Sequence, residues 1–388
     1  MTAYFDNAAT TPLCAAAKAA ADDAAAVYAN PSSLHAAGLA AEKLLASSRK
    51  TLLSIISAPP ADTLVFTGCG TESNALLLFG AAYAKPSNRG KRIIISDSEH
   101  PSVYAAAEEL GRRGFEIKTV GTRGGTVDPV ELCRLVDANT LLVSIMTVNN
   151  ESGAIYDIKT LCGAVKRVNP RALFHTDATQ AFMKTKIDVR ELGVDAMTLS
   201  AHKIGGPKGV GALYLSAQTV RSHAISPVLY GGGQEGGLRS GTENTAGAAA
   251  FAAAASYGAS VFAADTERIT SLRRRIVSGL TDAGVRVNEP KSYVPHIISA
   301  TLPGIKSEVM LHHLSSTGVY VSSGSACSSH HPGVSRPMLA YGLGQREADC
   351  TIRISLFRDN TEEEADLLIS GVRDGVKNLI KMYKRGVN

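Results

Sequence analysis

The chain has 388 residues, and at a loose ~150 residues per domain it has room for one large domain and a smaller one, which excludes a small stapled fold. Hydrophobic residues make up 45% and charged residues 19%, enough apolar material for a core and too little charge for disorder. Lys and Arg exceed Asp and Glu by 40 to 35, a net charge of +5, and the charges are scattered rather than gathered into a basic stripe, so no nucleic-acid partner is expected.

The opening stretch Met1 to Pro12 carries an early Asp6, no Arg and no apolar core, so neither a secretory signal nor a transit peptide is read there. From residue 60 to about 215, short β-branched runs alternate with helical patterns. The runs are Thr63 to Phe66, Arg92 to Ser96, Phe115 to Val120, Thr140 to Val148, Leu173 to Thr176, Ala196 to Leu199 and Gly211 to Leu215. This alternation predicts βαβ units and a mostly parallel sheet, with ligands at the carboxyl ends of the strands. Helices are predicted over Thr71 to Ala84 and, with Pro in the first turn, over Pro101 to Gly111. Residues 246–264 are uncharged and mostly Ala, too weakly hydrophobic for a membrane span, and read as a buried helix. A charged helix (Asp265 to Ala283), short strands near Val285, Ile297, Val319 and Ile352, a helix from Glu308 to Ser316 and a last helix from Thr361 then predict a second, α+β domain. The division is a large domain over 15–255 and a small one made of 1–14 and 256–388.

The six cysteines, at 14, 69, 133, 162, 327 and 350, form no Cys-x-x-Cys pair and no Cys/His cluster at zinc spacing. A reduced cytoplasmic protein without a metal site is expected.

Several polar clusters directly follow predicted strands. Gly68-Cys69-Gly70-Thr71 leads a strand into a helix whose free N–H groups suit a phosphate, although a plain capped helix reads the same way. The motif is neither Walker A nor Gly-x-Gly-x-x-Gly. Ser200-Ala201-His202-Lys203 puts a lysine at a strand end, either solvated or poised for a Schiff base. Asp177 stands at the end of a buried strand, where a carboxylate needs a cationic partner. His100 follows another strand and is either a structural histidine or a ring-stacking group. One cofactor combines these needs, pyridoxal phosphate, which asks for a lysine, a carboxylate at its ring nitrogen, a phosphate cup and a stacking group.

Eight segments carry a family resemblance: Phe5-Asp6-Asn7-Ala8-Ala9-Thr10-Thr11-Pro12, Asn30-Pro31-Ser32-Ser33, Thr71-Glu72-Ser73-Asn74, Val148-Asn149-Asn150-Glu151-Ser152-Gly153, Asp177-Ala178-Thr179-Gln180, Ser200-Ala201-His202-Lys203, Arg239-Ser240-Gly241-Thr242-Glu243-Asn244 and Ser322-Ser323-Gly324-Ser325-Ala326-Cys327. In this order, across nearly the whole chain, the sequence resembles the cysteine desulfurases of the class V aminotransferase family, in the nitrogen-fixation and iron–sulfur-assembly branch. The resemblance implies an α/β protein of the pyridoxal-phosphate-dependent transferase fold type I, with a large domain around a mostly parallel sheet and a smaller α+β domain. It further implies that Lys203 forms the Schiff base, Asp177 pairs with the ring nitrogen, His100 stacks on the ring and Gln180 hydrogen-bonds its phenolic oxygen. Gly70, Thr71, Ser200 and His202 would hold the phosphate, with Thr242 arriving from the partner of a homodimer. Asn150 and Arg353 would grip the substrate carboxylate, a task that suits a bidentate guanidinium.

By the same resemblance Cys327 accepts the sulfur of L-cysteine as a persulfide, leaving L-alanine, and passes it to a sulfur-acceptor protein. A free cysteine is otherwise a small buried thiol, which is the reading for Cys14, Cys133, Cys162 and Cys350. His330 and His331 follow Cys327 closely, either lowering its pKa or simply exposed. Three departures stand out: Cys69-Gly70 where the family commonly has Gly-Ala, Phe357 where a glycine is usual, and an end at Asn388 where housekeeping relatives continue into a scaffold-docking tail. The rival readings are a selenocysteine lyase or transaminase of the same family, and a non-catalytic subunit that binds sulfur acceptors.

Overall fold

The β-branched runs pair as the alternation predicts. In the computed structural model, which describes residues 2–84, 90–324 and 334–385, β1 (Ala3–Tyr4) opens the chain. Then come β2 (Thr63–Thr67), β3 (Arg92–Ser96), β4 (Glu116–Val120), β5 (Thr140–Ser144), β6 (Leu173–Asp177), β7 (Ala196–Ser200) and β8 (Gly211–Leu215). These last seven make one sheet in the order β2-β8-β7-β6-β5-β3-β4. Every neighbouring pair is parallel except those of β8, which runs against both β2 and β7. Strands β5 to β8 are buried along their whole length, as a sheet covered on both faces requires.

Helices fill those faces. On one side α3 (Gly70–Ala82) and α4 (Pro101–Arg112) bury Leu76, Leu77, Leu78, Val103 and Leu110 against Ile93, Ile95 and Leu142. On the other, α1 (Ala15–Ala25), α2 (Ala36–Ile55) and the first half of a long helix, Thr245–Asp282, cover Leu64, Phe174 and Tyr214. Neither α1 nor α2 was expected. Their Ala-rich sequences have good helix propensity but a weak apolar stripe.

The long helix is one element where two were predicted. No proline or glycine interrupts it near Ala264-Asp265, so its change of composition marks a change of surroundings and not a break. Ala248 to Ala255 pack in the core of the large sheet, whereas Ile269, Leu272, Ile276 and Leu280 pack in a separate core with Phe5, Ile298, Ile352 and Leu368. By length and composition this helix could cross a membrane, but half of its most apolar window is buried inside the protein. The second core belongs to β9 (Arg286–Val287), β10 (Ile297–Thr301) and β12 (Thr351–Ser355), with β10 central and antiparallel to both; β11 (Val319–Tyr320) pairs instead with β1.

Because β2, β3, β5, β6 and β7 point the same way, their carboxyl ends open on one edge. Strand β5 stops at Ser144, short of the expected Val148, because the Met146 N–H turns to the Glu99 carboxyl at 2.8 Å. Strand β8 enters from that edge, and Gly211 lies so close under the Cys69-Gly70 peptide that a Cβ there would sit 2.6 Å from the Cys69 carbonyl carbon and 2.9 Å from the Gly70 nitrogen. The mouth of α3 is therefore built on a glycine. Gly211→Ala is expected to cost about 1–3 kcal/mol, the usual range for overpacking, measured by urea unfolding; unchanged stability would show that the α3 entry moves freely.

Candidate active site

One cavity of about 170 Å³ opens at this edge. Gly70, Thr71, His100, Asn150 and Asp177 line it, as do Gln180, Ser200, His202, Lys203 and Arg353. Ten of the residues singled out from the sequence thus meet in one place, delivered by β2, β3, β5, β6, β7 and β12. Thr242 does not: it lines a separate groove with Tyr28, Asn30 and Pro31. Cys327, His330 and His331 lie outside the described residues.

Lys203 ends a single helical turn, Ala201–Lys203, that begins where β7 stops. Its Nζ donates to the carbonyls of Ala8 and Ala9, at 2.7 and 2.6 Å, so the amine is held over the cavity by the N-terminal segment. Asp177, 6% exposed, accepts from the Thr179 N–H at 2.9 Å and from Asn74 Nδ2 at 2.8 Å. No lysine or arginine pairs with it among the described residues; two neutral donors brace it, and one side of the carboxylate faces the cavity.

The mouth of α3 begins after Cys69, which makes no side-chain cap bond, so the first N–H groups of the helix lack the Ser, Thr, Asp or Asn oxygen that usually satisfies them. Ser200 Oγ, buried beside Gly70, has no hydrogen-bond partner either. Asn150 Oδ1 and Arg353 Nε are likewise buried and unpartnered. Arg353, 3% exposed, is otherwise engaged: one nitrogen donates to the Asn150 carbonyl at 3.0 Å and another to Asp6 at 2.8 Å. Gln180 donates to the Ala8 carbonyl at 2.9 Å and accepts from Lys184 Nζ at 2.6 Å.

Burial sets the protonation states. His100 is held below its ordinary range by loss of water, opposed by Asp177 and reinforced by Lys203 and Arg353. Loss of water and then the charge of Lys203 bring His202 down to about 4, so its ring is neutral beside the α3 mouth. Lys184 falls to about 7 for the same first reason, with Lys203 and Arg353 adding to it. Glu99 moves the other way, up to about 8, and is a neutral acid under the floor of the cavity.

Asn74, Ser102, Glu99 and Lys184 carry structural roles that the sequence reading did not assign. For Asn74 a signal existed, since an amide at the head of the otherwise apolar helix Ala75 to Ala82 must find a partner inside the protein. Lys184 offered none. Of the four cysteines read as buried thiols, Cys162 is buried and pushed up to about 12 by loss of water, whereas Cys14, Cys133 and Cys350 are half-buried.

The aminotransferase class-V family model matches residues 3–368. A cysteine desulfurase, IscS 1, of Archaeoglobus fulgidus is 35% identical over 364 residues, covering 92% of this chain and 93% of its own length. The cysteine desulfurase IscS of Escherichia coli is 37% identical over 374 residues, covering 93% and 90%. Among solved structures, a NifS-like protein superposes with a TM-score of 0.90 at 33% identity, over 97% of this chain and 100% of its own; SspA in complex with cysteine gives 0.81 at 28%, over 93% and 100%.

His175 tests the electrostatics. Fully buried on β6, it bonds to Ser144 at 2.8 Å and Thr198 at 3.0 Å, and loss of water brings it down from 6.5 to about 4. Between those values the unfolded chain binds a proton that the folded chain does not, so its contribution is complete above 6.5 and is lost as the pH falls through about 4. In cofactor-free protein, His175→Gln should therefore flatten the rise of unfolding free energy between pH 5 and 6 by about 1 kcal/mol. Equal slopes in urea titrations of the two proteins would contradict this.

Proposed function

The chain belongs to the aminotransferase class-V family, and from that premise we propose that it is a pyridoxal-phosphate-dependent cysteine desulfurase, converting L-cysteine to L-alanine. The observation that carries this reading is the single cavity that joins a lysine amine, a carboxylate fixed by two neutral donors and an uncapped helix mouth.

The residues present fit pyridoxal phosphate. The uncapped N–H groups of α3, the orphan Ser200 hydroxyl and the neutral His202 ring match a phosphate's need for donors without a competing anion. Gly70 and Thr71 would contribute from the helix mouth. Asp177 would hold the proton on the ring nitrogen, Lys203 would bind the aldehyde carbon and His100 would lie against the ring. Gln180 gives one Nε2 proton to the Ala8 carbonyl, and the second would remain for the phenolic oxygen. When bound, the cofactor supplies an electron sink for charge developing at the substrate Cα.

The protein's own groups do the rest. Arg353, with its free Nε, and Asn150, with its free Oδ1, orient the substrate, Arg353 through the carboxylate. Lys203, once displaced, moves the Cα proton, and His100 serves the substrate thiol. Cys327 accepts the sulfur: the Cβ–Sγ bond of L-cysteine breaks, an S–S bond to Cys327 forms, and the electron pair stays with Cβ, which takes a proton. Alanine and a persulfide account for every atom. The described chain on both sides of residues 325–333 is tied down near Arg353, Ser322 by two backbone bonds to it and Ser335 by a hydrogen bond to Glu151, which lines a smaller cavity together with Arg353. Persulfide sulfur would pass to an acceptor protein for iron–sulfur cluster or other sulfur-carrier synthesis in the cytoplasm.

The same reading makes the protein a homodimer with two units per chain, 15–255 and 1–14 with 256–388, and with Thr242 completing the partner's phosphate cup. Its support is the separate groove around Thr242, lined by the exposed Tyr28 (94%), together with two further exposed apolar side chains, Leu34 (92%) and Tyr230 (79%).

Two outcomes are expected. Protein purified with pyridoxal phosphate should be yellow, and Lys203→Ala should lose that absorbance and all alanine formation; a variant that keeps both would remove Lys203 from the site. Sedimentation should give a dimer of about twice 40.6 kDa. A fully active monomer would overturn the role of Thr242.

A further inference from the structure

His100, Ser102, Asn74 and Asp177 lie on one line of hydrogen bonds, and the direction of each bond is forced. An ionised carboxylate only accepts, so Asn74 must present its Nδ2 to Asp177, at 2.8 Å. The second Nδ2 proton goes to Ser102 Oγ, at 2.8 Å. Ser102 Oγ also lies 2.8 Å from His100 Nδ1, and because the Ser102 backbone N–H already requires a lone pair on that nitrogen, the hydroxyl donates to it. The Ser102 backbone N–H points at the same ring nitrogen from 3.2 Å, as His100 caps α4, and a backbone donor cannot reverse.

We propose that Ser102, oriented by Asn74, is a positioning residue that fixes His100 as its Nε2–H tautomer, so that substrate in the cavity meets an N–H and not a lone pair. In the neutral ring two donors aimed at Nδ1 leave the proton only Nε2. Protonating Nδ1 would push a third hydrogen against them, which adds to the loss of water that already keeps this ring neutral among Asp177, Lys203 and Arg353. His100 then serves first as a donor to the substrate sulfur, and must give up its N-cap bond before it can present Nδ1–H and act as a base through Nε2. The part played in turnover rests on the desulfurase reading; the tautomer does not.

The test uses cofactor-free and cofactor-loaded dimer labelled with ¹⁵N at histidine, with His100 assigned by its absence in His100→Gln. In the wild type the His100 Nδ1 resonance should be that of an unprotonated nitrogen. Ser102→Ala keeps the longer backbone contact but loses the shorter hydroxyl one, so it should move the resonance part of the way toward the average of two tautomers, and Ser102→Thr, which keeps the hydroxyl, should restore it. In turnover of L-cysteine, Ser102→Ala should lower kcat about tenfold with KM within about twofold, and shift the acidic limb of the pH profile upward by about half a unit or more, while Ser102→Thr stays near wild type. A wild-type Nδ1 that carries the proton overturns the proposal whatever the activity. So does an Ser102→Ala protein that loses activity with no change in the Nδ1 resonance or the pH limb, since that is a structural defect. If wild type makes no alanine, the desulfurase reading fails, and the ¹⁵N spectrum still decides the tautomer.

Discussion

The arrangement depends on keeping one guanidinium, that of Arg353, almost out of water at the junction of the two sheets. A buried charge must be paired and hydrogen-bonded, and stripping one partner from such a site costs about 3–5 kcal/mol. Arg353 meets that demand with Asp6 from the N-terminal segment and the Asn150 carbonyl from the end of the large sheet, while its own backbone pairs with Ser322. Three distant stretches of chain are thereby held to one residue of β12. The same N-terminal segment supplies the Ala8 and Ala9 carbonyls that hold Lys203. Anchoring the arginine and aiming the lysine are therefore one structural task, and the unsatisfied Nε is what remains for a ligand.

Charge in the rest of the cavity follows from this. Lys203 and Arg353 stand at the site, and loss of water, reinforced by nearby cations, holds His100 and His202 below their ordinary range and brings Lys184 down to about 7. Neutral rings and a neutral acid at Glu99 leave Asp177 as the carboxylate facing the cavity, braced by an amide and a backbone N–H that neither take nor give its charge. A site balanced in this way suits a ligand that brings a phosphate, a carboxylate and a cationic ring nitrogen. Its donors are in place before the ligand arrives, which is the economical arrangement for binding and for stabilising charge that develops later.

Much of this was legible in the sequence, for physical reasons. Buried parallel strands are short β-branched runs, so β3 and β8 were read to the residue, and the polar clusters that follow strands marked the edge where the cavity opens. What resisted reading was long-range. Helices α1 and α2 are Ala-rich with diffuse apolar faces, so their packing against the long helix, and not their own pattern, defines them. The single helix Thr245–Asp282 looked like two because it crosses two cores. Asp177 was read as a carboxylate waiting for a cation, but the sequence did not show that Asn74, on another element, braces it. Lys184 and the Ala8 and Ala9 carbonyls act through contacts that span large separations in the chain and leave no local mark. The resemblance to the cysteine desulfurases reached the cavity residues one by one, whereas Ser102 lies outside every motif that carries it.

The central claim is that this cavity takes the sulfur of L-cysteine and gives it to Cys327. The most direct measurement is to treat the pyridoxal-phosphate-loaded protein with one equivalent of L-cysteine, trap thiols, and follow alanine and the mass of the Cys327 peptide together. The account predicts one alanine formed for each sulfur gained on that peptide, with Cys327→Ala keeping the yellow cofactor but forming no persulfide. Alanine released with the added sulfur on another cysteine, or at an undiminished rate in Cys327→Ala, would contradict it.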